Sequence, residues 1–145
     1  MTIALPRPGE VISYSFLWAD EHEAGQEEGV KTRPCVVVMS LATAAGNARL
    51  IVLPVTHTPP SNGAHAIEIP RATKLRLGLD DARSWIVLNE ANRFIWPGPD
   101  IRPFDTPQGR TVSYGFLPPG IFRAVRDSFL ALDAAAKTRP VTRTE

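Results

Sequence analysis

Three side chains able to handle a phosphate stand at the ends of apolar runs in this chain. Arg33 precedes Pro34-Cys35-Val36-Val37-Val38-Met39, Thr56 and His57 close Leu50-Ile51-Val52-Leu53-Pro54-Val55, and Asn89-Glu90 follow Trp85-Ile86-Val87-Leu88. β-Branched apolar runs of this length read as core strands, and the end of a core strand is a rigid mount for a side chain. Brought to one spot, an arginine, a hydroxyl and an imidazole suit an anionic substrate such as a phosphodiester. The guanidinium supplies two directed donors to developing phosphorane charge, the threonine a further donor, and the histidine a proton shuttle near neutral pH. Pro34 fixes the approach and biases Thr32-Arg33 to extended geometry, so Arg33 is aimed rather than free. The plainer alternative is that Arg33 pairs with a loop carboxylate and Thr56 merely ends a strand.

Other chemistries have weaker support. Cys35 has two cations within four residues, Lys31 and Arg33, but it sits inside an apolar run, where a free cysteine is usually a small buried hydrophobe. His22 lies among the carboxylates of DEHEAGQEE without any recurring ligand spacing, which reads as a solvated acidic loop rather than a metal site. His57 and His65 flank a Pro/Gly loop and could approach one another. No glycine-rich phosphate loop or local nucleophile signature is present.

The elements that must hold these residues are short. Ile12, Tyr14, Phe16 and Trp18 alternate with Ser13 and Ser15, as on a half-buried strand over 9–18. The stretch 19–32 reads as a long mobile acidic loop. Strands follow over 34–39 and 50–56, where Pro54 predicts an edge, a bulge or a break in pairing. A short strand over 66–69, a helical turn or two over 72–77 closed by Gly78, and strands over 85–89 and 93–96 come next. Residues 97–111 are rich in Pro and Gly and read as irregular. Ile121, Val125, Phe129 and Leu132 fall at helical spacing, the mark of an amphipathic helix, and the tail VTRTE is expected to fray. Five to seven short strands and one terminal helix favour a single domain over 1–145, mainly β (α+β): a small antiparallel barrel with a C-terminal amphipathic helix.

Composition sets few further bounds. At 145 residues with a hydrophobic share of 43% and a charged share of 21%, the chain can bury a core without staples. One cysteine excludes an internal disulfide or a Cys-based zinc site within one chain. No apolar run approaches the roughly 20 residues that span a bilayer, and the N-terminus has no leader-like apolar region, so a cytoplasmic protein is expected. The net charge of +1 hides a polarity: residues 1–30 carry six acids and one base, residues 31–79 six bases and one acid. A locally basic surface is therefore compatible with the small total charge.

The order PGEVISYSF, a polar loop, KTRPCVVV, LIVLPVTH, SWIVLNEANR and YGFLPPGIFRAVRDSFLAL resembles the MazF/PemK family of toxin endoribonucleases, over roughly residues 8 to 133. The resemblance implies an SH3-like barrel and sequence-specific cleavage of single-stranded RNA without metal or cofactor. The ribose 2′-OH attacks the adjacent phosphate, leaving a 2′,3′-cyclic phosphate and a free 5′-OH. It places the family's catalytic arginine on Arg33 and its catalytic threonine on Thr56; His57 is expected beside them as a third catalytic residue, and Lys31, Asn89, Asn92 and Arg93 as RNA contacts. It further implies a homodimer, and a cognate antitoxin whose acidic tail fills the RNA groove. The alternative is the same barrel with altered catalysis, serving as a nucleic-acid- or protein-binding module.

Four features depart from the family pattern. His57 occupies a position usually small or hydroxylated, where it either adds a general base or narrows the site. The first loop is unusually long and acidic, and would repel RNA if it lay over the groove. Glu90 follows Asn89 where an acid then glutamine is common. The insert WPGPDIRPFDTP has no counterpart.

Overall fold

The computed structural model describes residues 4–29 and 31–143. Glu10–Ser15 (β1) pairs antiparallel with Thr32–Ala42 (β2), and β2 with Ala48–Thr56 (β3). There the sheet forks: Ala48–Val52 pairs with Glu90–Trp96 (β6), whereas Val55-Thr56 pairs with Trp85–Val87 (β5), itself paired with Ala66–Glu68 (β4). Pro54 lies in the gap between the two partners, the break in pairing that a proline there predicts. Ser113–Phe116 (β9) borders β1 on its other side. Phe104–Thr106 (β7) and Gly109–Thr111 (β8) form a separate hairpin within the Pro/Gly-rich segment. The described residues also form three α-helices, Ala19–Glu23 (α1), Arg71–Leu77 (α2) and Pro119–Ala134 (α3), and a 3-10 turn over Gly63–His65. The protein is mainly β, a curled antiparallel sheet forming a half-barrel with a helix near its C-terminus.

Side chains alternate along β2 and a core cluster covers each face, so its apolar run is buried on both sides. Val36 and Val38 join Leu53, Val55 and Ile86 beneath α3, which contributes Val125 and Phe129 from one stripe. Cys35 and Val37 turn the other way, into a cluster with Ile12, Tyr14, Phe16, Leu50, Val52 and Phe94. Tyr14 stacks on Phe94 with ring centroids 4.7 Å apart. Pro119 opens α3 at a position where its missing N–H costs nothing. Gly78, at φ 71°, closes α2 in the left-handed conformation that glycine adopts freely.

Several expectations need correction. Ser13 and Ser15 are buried, so β1 is covered on both faces. The acidic stretch is not a free loop: α1 forms within it and is tied to the far end of the chain. Arg139 pairs with Asp20 and Glu23, both at 2.9 Å, and Glu90 Oε1 accepts the Ala19 N–H at 2.9 Å. The tail does not fray as far as it is described. Arg139–Thr142 (β10) adds to β6 in parallel, and Arg143 is buried (6% exposed); Thr144 and Glu145 lie outside the described residues. There are also more strands than the pattern predicts, because β7, β8, β9 and β10 have only three or four residues each, too few to carry a periodic signal.

Candidate functional site

The β2–β3 register creates the site. Cys35 faces Pro54, with Val37 facing Val52, so the register continued two residues sets Arg33 across from Thr56. Alternation places both on the sheet face that carries Cys35 and Val37. Two contacts hold the guanidinium. Its Nη1 donates to the Val55 carbonyl at 3.2 Å, and its Cζ lies 5.0 Å from the centre of the Trp18 ring, a cation–π contact. Its Nε is buried with no hydrogen-bond partner among the described residues. Partial burial draws the Arg33 pKa down from its ordinary value, with the Cys35 thiol and Glu21 acting against it. Thr56 Oγ1 accepts the Thr58 N–H at 3.2 Å, a tight local turn that leaves the hydroxyl proton to donate elsewhere.

These two residues open onto a cleft of about 470 Å³ whose lining includes Lys31, His57, His65 and Asn89. The loop Thr58–Asn62 and Trp18 line it as well. No carboxylate lines this cleft among the described residues, although the protein has 15 acids. Two cations and no carboxylate in the lining favour an anion there, with Asp80 reaching His57 from outside it. Asn89 Nδ2 lies 3.5 Å from His65 Nδ1. A second cleft, of about 270 Å³, adjoins the first across Lys31, Arg33 and His57, and is walled by Lys74, Asp80 and Tyr114.

His57 is not free in its cleft. Its Nε2 lies 2.8 Å from Asp80 Oδ2, while Asp80 Oδ1 receives Lys74 Nζ at 2.7 Å and the Ala82 N–H at 3.1 Å. Lys74 is itself buried (4% exposed) and also donates to Ser84 Oγ and the Ala82 carbonyl. The ammonium, and secondarily His57, holds the Asp80 carboxyl below its ordinary pKa.

Five of the seven residues expected at the site therefore converge: Arg33, Thr56, His57, Lys31 and Asn89. Asn92 does not. It is fully buried, its Oδ1 accepting the Leu17 N–H at 2.9 Å and its Nδ2 donating to the Leu17 carbonyl at 2.8 Å, so it pins the segment after β1 to β6 and is not exposed to a ligand. Arg93 points from the opposite face of β6 and does not line the cleft. The acidic stretch does not cover the site either. Its lining holds none of residues 20–29, and Leu17, His22 and Glu27 instead border a separate hollow beside Thr142 and Arg143. Cys35 is buried away from both clefts. Sequence reasoning missed Lys74 and Asp80: the burial of Lys74 beside Thr73 and Leu77 on α2 shows only in the fold.

No protein-family model matches the chain, and no curated protein matches it.

Proposed function

We propose that the protein is a sequence-specific endoribonuclease of MazF/PemK type, cutting single-stranded RNA without a metal and serving as the growth-inhibiting toxin of a toxin–antitoxin pair. One observation carries this reading: Arg33, at the head of β2, and Thr56, at the tail of β3, both line one cleft with Lys31 and no carboxylate. A scissile phosphate seated there meets the Arg33 guanidinium and the Thr56 hydroxyl as directed donors. The imidazole of His57 takes the proton of the ribose 2′-OH as O2′ bonds to phosphorus. The P–O5′ bond breaks, and O5′ leaves with a proton from Arg33 or solvent. The products are a 2′,3′-cyclic phosphate and a 5′-OH. Lys31 and Asn89 bind flanking phosphate and base. The reading includes a homodimer in the cytoplasm and an antitoxin with an acidic tail, since a cleft of this charge takes either polyanion.

The test is incubation of the purified protein with a long RNA in EDTA, beside Arg33→Ala and Thr56→Ala. Discrete cuts ending in cyclic phosphate should appear with wild type and fall by about 10²-fold or more in each variant. RNA retained but never cut would replace this reading with the nucleic-acid-binding module.

A further inference from the structure

We propose that Asp80 is the positioning residue for His57: anchored by buried Lys74, its carboxylate holds the imidazole in the Nε2–H tautomer and leaves Nδ1 to take the 2′-OH proton. The inference rests on the nuclease reading above and adds two residues to it, neither of which touches RNA.

The argument begins with what each oxygen of Asp80 can accept. Oδ1 already receives two donors, the Lys74 ammonium and the Ala82 N–H. Only Oδ2 is left for His57, at 2.8 Å from Nε2. A carboxylate only accepts, so a neutral imidazole must carry its proton on Nε2. Nδ1 then has a bare lone pair and no hydrogen-bond partner among the described residues. A base for the 2′-OH needs that state of the ring.

Stability does not explain the pair. His57 and Asp80 side chains are each 56% exposed, and exposed ion pairs contribute little. Lys74, by contrast, is buried, and a buried ammonium is tolerated only when its donors are satisfied. Its partners are Asp80 Oδ1, the Ala82 carbonyl and Ser84 Oγ. The ammonium thus fixes the 80–84 turn and, with it, the rotation of the Asp80 carboxylate. The exposed end of that carboxylate is aimed at one atom of one ring.

Asp80→Asn separates orientation from mere support. Lys74 and Ala82 both demand an acceptor at the Oδ1 position, so the amide must place its oxygen there and turn its NH2 towards His57. Nε2 then has to accept, and the proton moves to Nδ1, where it blocks the base. Asp80→Ala removes the constraint without imposing the wrong tautomer. If Asp80 were only structural, asparagine, the closer isostere, would be the milder change.

Nitrogen-15 NMR of the His57 ring should find the proton on Nε2 in wild type at a pH where the ring is neutral, and on Nδ1 in Asp80→Asn. Single-turnover cleavage of a long RNA should slow by the order of 10²–10⁴-fold in Asp80→Asn, less in Asp80→Ala, with the half-saturating protein concentration unchanged in both. A proton on Nδ1 in wild type overturns the proposal, and that measurement stands even if a variant fails to fold. Wild-type cleavage by Asp80→Asn, while Arg33→Ala and Thr56→Ala are inactive, sinks the positioning role and leaves the nuclease reading intact. Should wild type cut no RNA, the tautomer reversal alone upholds the positioning of His57, and the nuclease reading is what falls.

Discussion

Cys35 and Arg33 share a face of β2 two residues apart, and solvent access gives them different chemistry. Full burial is the dominant effect on the Cys35 thiol and pushes its pKa far above the ordinary range, against weaker opposing pulls from Arg33 and Arg143. A thiol that cannot ionise is no nucleophile. Thiol reagent at pH 8 should therefore leave Cys35 unmodified in the folded protein and label it fully in denaturant, and Cys35→Ala should cut RNA at the wild-type rate. Rapid labelling of the native protein, or lost cleavage, would return Cys35 to the site. Alternation in the sequence was enough to put Arg33 with Cys35 and Thr56 with Pro54. What it could not supply was the register between β2 and β3, a contact made across 22 residues between Arg33 and Val55. Lys74 and Asp80 were hidden for a related reason: nothing in a short helix and a following turn reveals that a lysine points inward to meet them.

At the scale of elements, the acidic stretch was misread because its partners lie at the other end of the chain. Arg139 is 116 residues from Glu23, and no local pattern announces such a pair. Composition correctly marks 19–29 as polar, yet a polar segment folds when distant groups satisfy it. Glu90 is the inner anchor, accepting the Ala19 N–H, and it carries a cost. Burial raises its pKa from the ordinary value, the Ala19 hydrogen bond and Arg139 only partly opposing this. A raised folded-state pKa means that the protonated form is the one the fold favours. The stabilising contribution is therefore full below the unfolded pKa of about 4.3 and is lost as pH rises through the folded value. Glu90→Gln keeps an acceptor for Ala19 without the charge. It should be more stable than wild type in urea at pH 7, with the gap closing by pH 4. Equal stability at pH 7 would show that the Ala19 bond and Arg139 offset the burial, and a less stable variant there that they outweigh it.

At the scale of the whole molecule, the fold closes on Arg143. Its guanidinium donates to the Ser15 carbonyl at 2.8 Å, to Asn92 Oδ1 at 3.1 Å and to the Glu27 carbonyl at 3.2 Å, and pairs with Asp100 at 2.8 Å. One buried side chain thus joins β1, β6, the acidic stretch and the Pro/Gly-rich segment, the two regions that looked irregular from sequence. The aromatic face of Tyr14 lies 5.7 Å below it. Burial raises the Asp100 pKa, and Arg143 is the largest influence opposing that rise. Deleting the cation alone would leave a nearly buried carboxylate without its partner, which typically costs about 3–5 kcal/mol. Replacing both members by neutral groups removes that penalty, since a buried pair itself adds little net stability. Chemical denaturation at pH 7 should show Arg143→Met losing stability in that range and Arg143→Met/Asp100→Asn recovering a large part of it. The recovery should shrink as pH falls and Asp100 in Arg143→Met takes up its own proton. A double variant no more stable than the single one at pH 7 would mean that the bonds to Ser15, Asn92 and Glu27, rather than the charge pair, hold the ends of the chain together.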